Sequence, residues 1–339
     1  MAHRTIEVTR LLVALMIAST GLGCSTDPVA CVDPETGPPV DLFCTGLYVG
    51  HDATKLAPGL MPYTPGVTLW SDGAEKRRFL YLPPATTIDT SRMDAWSFPV
   101  GTKAFKEFTV DGTRVETRLL WKRTESAWES GTYLWDDAGQ ATLNTDPHGV
   151  VLPSGYEIPT QKDCDKCHHG GADVLLGVEA VALALPTASG ATLTDLSSQG
   201  WLSAPPATTT ISLPDDGTGK SGAALGYLHA NCGMPCHSSR GLGEETQLLM
   251  RLSASEFWPS PTPASLTQTY LATVNQIPTT AAVASHFPGA KRITPGAHDQ
   301  SVVWLMSHVR GNYQMPPLVS HRIDDVGTQT LAAWIDALP

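Results

Sequence analysis

Two short cysteine–histidine clusters restrict the structure of this chain more than any other feature of its sequence. Residues 164–168 read CDKCH, and residues 232–237 read CGMPCH. In each cluster a histidine directly follows the second cysteine. Histidine makes up 11 of the 339 residues, so chance would place it after both pairs roughly once in a thousand cases. The repeated order therefore indicates that both clusters serve the same chemistry.

The first cluster has the complete pattern by which a c-type haem is attached to a protein chain. The thiols of Cys164 and Cys167 would reach two vinyl groups on one edge of the porphyrin, and His168 would offer its imidazole to the iron. A zinc site built from the cysteines, or a short disulfide loop, is the alternative. Neither alternative requires a histidine at this position. The sequence predicts a first haem here.

The second cluster differs from the first by one additional residue between its cysteines. The adjacent pair Cys236 and His237, which the iron requires, is intact. Gly233 and Pro235 would let the longer loop bulge, so that Cys232 also reaches the porphyrin. We expect a second haem bound through both cysteines. A single thioether, or a pair of cysteines joined as a disulfide, is the alternative.

A methionine in a proline-containing loop is the expected second ligand of this iron. Met315 precedes two prolines and lies about eighty residues after His237, a distance that suits a distal loop. The order of a helix, a haem motif, a methionine–proline loop and a terminal helix resembles a class I cytochrome c domain. That resemblance implies a distal ligand role for Met315, and ordinary packing of the methionine is the alternative.

The first haem has no equivalent methionine nearby in the sequence. His148, Met61 and Met93 are candidates for its distal ligand, as is a residue of the other haem module. An iron with only five ligands is a further alternative, and it would permit peroxide or small-ligand chemistry.

The amino terminus has the layout of a secretory signal peptide. Two arginines among the first ten residues precede an apolar run at residues 11–23, which is too short for a membrane-spanning helix. The sequence TGLGC, ending at Cys24, resembles the lipobox of bacterial lipoproteins. This resemblance implies removal of residues 1–23, lipidation of Cys24, and a membrane anchor at the periplasmic or outer surface, with Ser25 favouring the outer membrane. A signal peptide without a lipid is the alternative.

The net charge and the remaining cysteines allow two further predictions, one about partners and one about a disulfide. The formal net charge is −11, and such an acidic surface repels nucleic acid phosphates. We therefore expect no nucleic acid partner. Residues 24–45 should form a tether in which Cys31 and Cys44 flank a proline-rich segment and could form a disulfide.

Residues 46–155 carry the signals of a β-rich domain. The dipeptide Asp111–Gly112 predicts a tight hairpin within residues 106–123, and residues 76–82 and 131–135 are expected to be further strands. After the turn the side chains alternate, which predicts one covered and one solvated face. The expected covered side chains are Val115, Thr117, Leu119 and Trp121, and the expected solvated ones are Arg114, Glu116, Arg118 and Lys122. The cations in the EKRR segment, residues 75–78, should also be solvated.

The second half of the chain is expected to be mostly helical. Residues 156–219 would form the first haem module and a linker, and residues 220–339 a cytochrome c-like domain. Helical spacing predicts helices within residues 172–185, 221–232, 300–310 and 327–338. The predicted fold is therefore of the α+β class, with a β-rich domain followed by a mostly α-helical region.

The whole set of motifs resembles a family of exported bacterial cytochromes. The segments LWSDGAEKRRFLYLPP, FPVGTKAFKEF, ETRLLWKR, GTYLWDD, IPTQKDCDKCHH and LGYLHANCGMPCH carry this resemblance across nearly the whole mature chain. It implies this architecture and two haems c more than a particular reaction. The leading hypothesis is electron transfer between an extracytoplasmic dehydrogenase and an acceptor, with an unidentified redox partner protein. Such a chain is an electron carrier more than an enzyme with its own substrate. A dihaem peroxidase with an open first iron, and a zinc-stabilised binding module, are the alternatives.

Overall fold

The computed structural model describes residues 31–168 and 173–339, and these residues form a mixed α+β fold. Asp33–Pro339 forms one compact unit. The signal peptide and the lipidation predicted at Cys24 lie outside the described residues. Cys31 and Cys44, the predicted disulfide pair, are both disulfide-bonded.

A seven-stranded antiparallel sheet is the largest element of Asp33–Pro339. Its strand order is β11-β3-β4-β5-β6-β7-β8, and two small antiparallel pairs, β1-β2 and β9-β10, accompany it. The strands are β1 (Tyr48–Val49), β2 (Asp52–Leu56), β3 (Leu60–Thr64), β4 (Glu75–Tyr81), β5 (Lys103–Val110), β6 (Thr113–Lys122), β7 (Trp128–Trp135), β8 (Ala141–Leu143), β9 (Val150–Val151), β10 (Glu157–Ile158) and β11 (Ser189–Gly190).

The hairpin between β5 and β6 forms where the sequence predicts it. Asp111 and Gly112 connect the two strands, with φ angles of 50° and 78°. A two-residue turn with positive φ at both positions matches the right-handed twist of the strands that it joins. The local sequence therefore sets the register of the central pair of strands.

The prediction of a solvated face on β6 is wrong, because both faces of the sheet are covered. Glu116 and Lys122 are fully buried. Lys122 forms an ion pair with Asp173 at 2.8 Å, and Glu116 pairs with Arg118 at 2.6 Å. These partners satisfy the charges, as burial of a charge requires. The EKRR prediction is likewise wrong for Arg78, which is 6% exposed.

Each face of the sheet packs against a different part of the chain. Phe105 and Leu119 face a core formed with the segment around Leu42, so the end of the predicted tether is buried. On the opposite face, Leu80 and Leu120 belong to the largest core, which extends to Leu338, just after the end of the last helix. This core crosses the domain boundaries expected at residues 156 and 220.

The helices of the described ranges are short. None of them combines the length and the apolar character that crossing a bilayer requires. The helix expected within residues 172–185 is reduced to five residues: the Glu179 carboxylate caps its start by accepting from Val181 N and Ala182 N, and Pro186 follows its end. The helices are α1 (Gln161–Cys167), α2 (Ala180–Ala184), α3 (Leu193–Ser198), α4 (Ser221–Leu228), α5 (Gln268–Thr273), α6 (Ala281–His286), α7 (Val302–Ser307) and α8 (Asp325–Ile335).

Candidate haem-binding site

The first cysteine–histidine cluster lies on α1 and at its carboxyl end. Thr160 caps the helix, and its hydroxyl and the Asp163 carboxylate form a reciprocal capping box. His168 follows the last helical residue, and its backbone N–H donates to the Cys164 carbonyl at 3.1 Å. A single helical turn thus connects the first cysteine of the cluster to its histidine.

The second cluster uses a wider turn to reach the same arrangement. The helix α4 continues as a π-helical turn, His229–Gly233, which contains Cys232. The backbone N–H of His237 donates to the Cys232 carbonyl at 2.8 Å. In both clusters the histidine N–H therefore binds the carbonyl of the first cysteine, although the second has one more residue. The wider turn absorbs the additional residue, as π-type turns at functional sites do.

The His168 ring is held with one nitrogen available. Its Nδ1 lies 2.5 Å from the Val174 carbonyl oxygen. Because a carbonyl only accepts, Nδ1 carries the proton and Nε2 presents a lone pair. Burial, with a smaller contribution from Lys106, lowers the pKa of His168 to about 3. The imidazole is therefore neutral, which is the state that coordinates a metal.

The His237 ring is oriented in a similar way. Its Nδ1 lies 3.4 Å from the Thr246 hydroxyl, which donates its own proton to the Gly243 carbonyl. The hydroxyl can therefore only accept from His237, so Nε2 is again the unprotonated nitrogen. Burial lowers the pKa of His237, opposed by a hydrogen bond to the Leu248 backbone. A Cβ at Gly243 would lie 2.6 Å from this Nδ1, so glycine leaves the space that the ring needs.

The second cluster and the predicted distal methionine line one cavity. We call it the second cavity; it encloses about 1170 Å³ of space between atoms, including its mouth. The walls of this cavity are mostly apolar, which is typical of sites for small molecules and cofactors. The structure thus brings His237 and Met315 to one site. The lining includes Tyr227, Cys232, Cys236, His237, Met250, Val303, Met306 and Met315.

The first cluster lines a neighbouring cavity, which we call the first cavity. The space between atoms in this cavity, including its mouth, is about 1730 Å³. None of the distal ligand candidates His148, Met61 and Met93 is among its described lining residues; Met61 and Met93 pack on the large core instead. Met234 and Met315 do line it. Met234 belongs to the longer loop of the second cluster, and this location depends on tertiary packing that the sequence pattern did not reveal.

The two cavities adjoin, and the two clusters meet between them. The Cys167 and Cys236 side chains are not disulfide-bonded, and their thiols are near enough to shift each other's pKa. This interaction lowers the pKa of Cys167 and, together with burial, raises that of Cys236. Met315, Trp70 and His237 line both cavities. The sequence predicted two clusters but not that one thiol of each would be in contact.

Polar groups without partners also face these cavities. Trp70 Nε1, Arg310 Nε and Ser320 Oγ are buried and have no hydrogen-bond partner in the described part of the chain. All three residues line the second cavity. Buried donors in native proteins are nearly always satisfied, so these groups are able to bind a ligand or an ordered water that carries acceptors.

Glu179 and His229 form a buried pair in the wall of the first cavity. Leu252 N donates to His229 Nδ1 at 3.0 Å, so the proton is on Nε2, which lies 3.2 Å from the Glu179 carboxylate. Both ring nitrogens of His229 are therefore occupied, which removes it as a ligand for iron. Sequence analysis did not identify this pair, because its members are far apart in the chain.

No group of three or more His, Cys, Asp or Glu side chains within residues 31–168 and 173–339 is arranged to hold a metal ion. Comparison with known proteins finds no matching family model, no matching curated protein and no matching solved structure.

Proposed function

We propose that this chain is an exported dihaem c-type cytochrome that transfers single electrons between an extracytoplasmic dehydrogenase and an acceptor protein. The observation that carries the proposal is the equivalence of the two clusters. In each, the histidine N–H binds the carbonyl of the first cysteine, at 3.1 Å for His168 and 2.8 Å for His237. Each cluster also lines a mostly apolar cavity.

The donor set and the cavities fit haem c. The thiols of each cluster would hold the porphyrin covalently, and the Nε2 atoms of His168 and His237 would bind the two irons. Bound haem iron supplies reversible one-electron exchange, and a thioether ligand favours its ferrous state. Met315 is the sulfur that we assign to the second iron, and Met234 is the sulfur that the lining of the first cavity offers to the first iron.

The arrangement around the second cavity supports a cytochrome c-like region within the α+β fold. Helix α4 leads into the second cluster and packs against α8. Met315 lies between α7 and α8, and its N–H donates to the Met306 carbonyl at 2.7 Å. This order of helix, cysteine cluster, methionine loop and terminal helix is the arrangement expected of class I cytochromes c.

The membrane anchor is a separate part of the proposal. We propose that a lipid on Cys24 attaches the protein to the outer membrane on the periplasmic or extracellular side. Mass spectrometry of the amino-terminal peptide tests this, since an unlipidated mature terminus would contradict it.

A haem count tests the main proposal. The mature chain is expressed with a c-type maturation apparatus, and covalent haem is counted per chain from the absorption of its pyridine complex. We expect two haems, and one in the variant Cys232→Ser/Cys236→Ser. A colourless parent protein with stoichiometric zinc would favour a binding module. Peroxide turnover at a five-coordinate first iron would favour the peroxidase.

A further inference from the structure

Three cationic side chains form a row across the sheet, on the face that borders the first cavity. Arg78 on β4 is directly opposite Lys106 on β5, and Lys106 is directly opposite Arg118 on β6. Opposed residues of antiparallel strands share a face with their Cβ atoms about 4.5–5.5 Å apart. All three residues line the first cavity. We call them the cation row.

Among the described side chains, a carboxylate of the protein neutralises one member of the cation row. Arg118 binds the Glu116 carboxylate through two nitrogens, at 2.8 Å and 2.6 Å. The Arg78 guanidinium and the Lys106 ammonium have no hydrogen-bond or ion-pair partner among the residues that the structure describes. Like charges directly opposite each other on a sheet are destabilising, and an unpaired buried charge more so.

Other carboxylates that line the first cavity are engaged elsewhere. The Asp72 carboxylate accepts from the N–H groups of His321 and Arg322, and Asp163 accepts from Thr160 and Lys166. Glu157 is hydrogen-bonded to His321, and Glu179 to His229. Among the side chains that the structure describes, no carboxylate lining the first cavity is therefore left to neutralise Arg78 and Lys106.

We propose that the cation row binds the propionate carboxylates of the haem attached at Cys164 and Cys167. This inference rests on the proposed function, because it requires that haem. Two carboxylates would neutralise Arg78 and Lys106 through charge-assisted hydrogen bonds, which are roughly twice as strong as neutral ones. The sheet thereby becomes part of the haem site: it positions the first haem and sets its reduction potential.

The test is a spectroelectrochemical titration of the full mature chain in which Lys106→Gln removes one charge. Loss of a nearby positive charge favours ferric iron, so one of the two midpoint potentials should fall. We expect about a tenfold lower ratio of reduced to oxidised haem at fixed potential, which is about 59 mV for one electron. The other potential should not change.

Arg77→Gln is the matched control, because Arg77 neighbours Arg78 on the same strand but faces the other side of the sheet. There its side chain is 59% exposed and contacts Glu107. Its potentials should equal those of the parent. Arg78→Gln should repeat the Lys106→Gln shift, which covers the case in which one variant folds poorly.

Stability gives a second, independent readout. In the full chain expressed without maturation, burial and the charges of Arg78 and Arg118 lower the pKa of Lys106 to about 7. At about pH 6, where this ammonium is charged, Lys106→Gln relieves repulsion and should raise the urea midpoint. In the matured protein it removes an attraction and should lower the midpoint.

Several results would overturn the assignment. Two attached haems with unchanged potentials in Lys106→Gln and Arg78→Gln would refute it and leave the proposed function intact. A potential that responds to these substitutions only after inorganic phosphate is added would assign the row to a free anion. Loss of an axial ligand signature in Lys106→Gln would make Lys106 an iron ligand. Absence of haem from the parent would instead contradict the proposed function.

Discussion

The ion pair between Lys122 and Asp173 is the contact whose removal we expect to be most damaging to the fold. The side chains are 1% and 7% exposed, and Lys122 Nζ lies 2.8 Å and 3.1 Å from the two carboxylate oxygens. Asp173 also accepts from Trp128 Nε1 at 2.6 Å and from Phe98 N at 2.7 Å. One carboxylate thus joins three segments of the sheet region to the chain that follows the first cluster.

Asp173→Asn leaves the Lys122 ammonium buried without a countercharge. Removing one partner of a buried ion pair lowers the free energy of unfolding by about 3–5 kcal/mol. We expect a loss of about 3 kcal/mol for Asp173→Asn, because the amide oxygen still accepts one hydrogen bond. With a urea dependence of about 3 kcal/mol per molar, the unfolding midpoint should fall by about 1 M.

Urea unfolding followed by tryptophan fluorescence measures this effect in the matured protein. Lys55→Gln is the control, since the pair of Lys55 and Asp52 at 3.0 Å lies at the surface and such pairs contribute little. The double variant Lys122→Met/Asp173→Asn should recover part of the lost stability, because it leaves no buried charge and the amide oxygen at position 173 can still accept a hydrogen bond from Trp128 Nε1 or Phe98 N. A midpoint for Asp173→Asn equal to that of the parent would refute the reasoning.

Three further predictions concern the cavities. Met315→Ala should lower one midpoint potential and let cyanide bind the second iron, as followed by absorption; an unchanged reduced spectrum and potential would contradict the assignment. Met234→Ala should do the same at the first iron, and cyanide binding by the parent at that iron would rule Met234 out. Burial opposes ionisation of Glu179, but the contacts with His229, the charge of Arg251 and the hydrogen bond from Ala182 N together outweigh it, so the pKa of this carboxyl lies below its usual 4.5. Its stabilising contribution is therefore present above about pH 4.5 and lost as the pH falls through the folded pKa. Glu179→Gln should flatten the acid side of the plot of urea midpoint against pH, and an unaltered slope would count against this account.

Local signals in the sequence predicted local structure well. The Asp111–Gly112 hairpin follows from the conformations that these two residues adopt readily, and it needs no distant partner. The cysteine–histidine clusters were recognisable for the same reason, because their chemistry is encoded within six residues.

The second face of the sheet could not be predicted from its alternating pattern. A period of two indicates that two faces differ, but it does not show what covers the more polar one. Asp173, which neutralises Lys122, lies in another part of the chain, and the cavity that borders Arg78 is formed by later segments. The contact between Cys167 and Cys236 likewise depends on packing over a long sequence separation.

That contact has a consequence for biogenesis. The two thiols are near enough to interact, and the lowered pKa of Cys167 favours the thiolate that begins disulfide formation. Under the proposed function, oxidation in the export compartment would then compete with haem attachment, and a chain that folds before it is loaded could become cross-linked between its clusters. That function therefore predicts that haem attachment precedes complete folding.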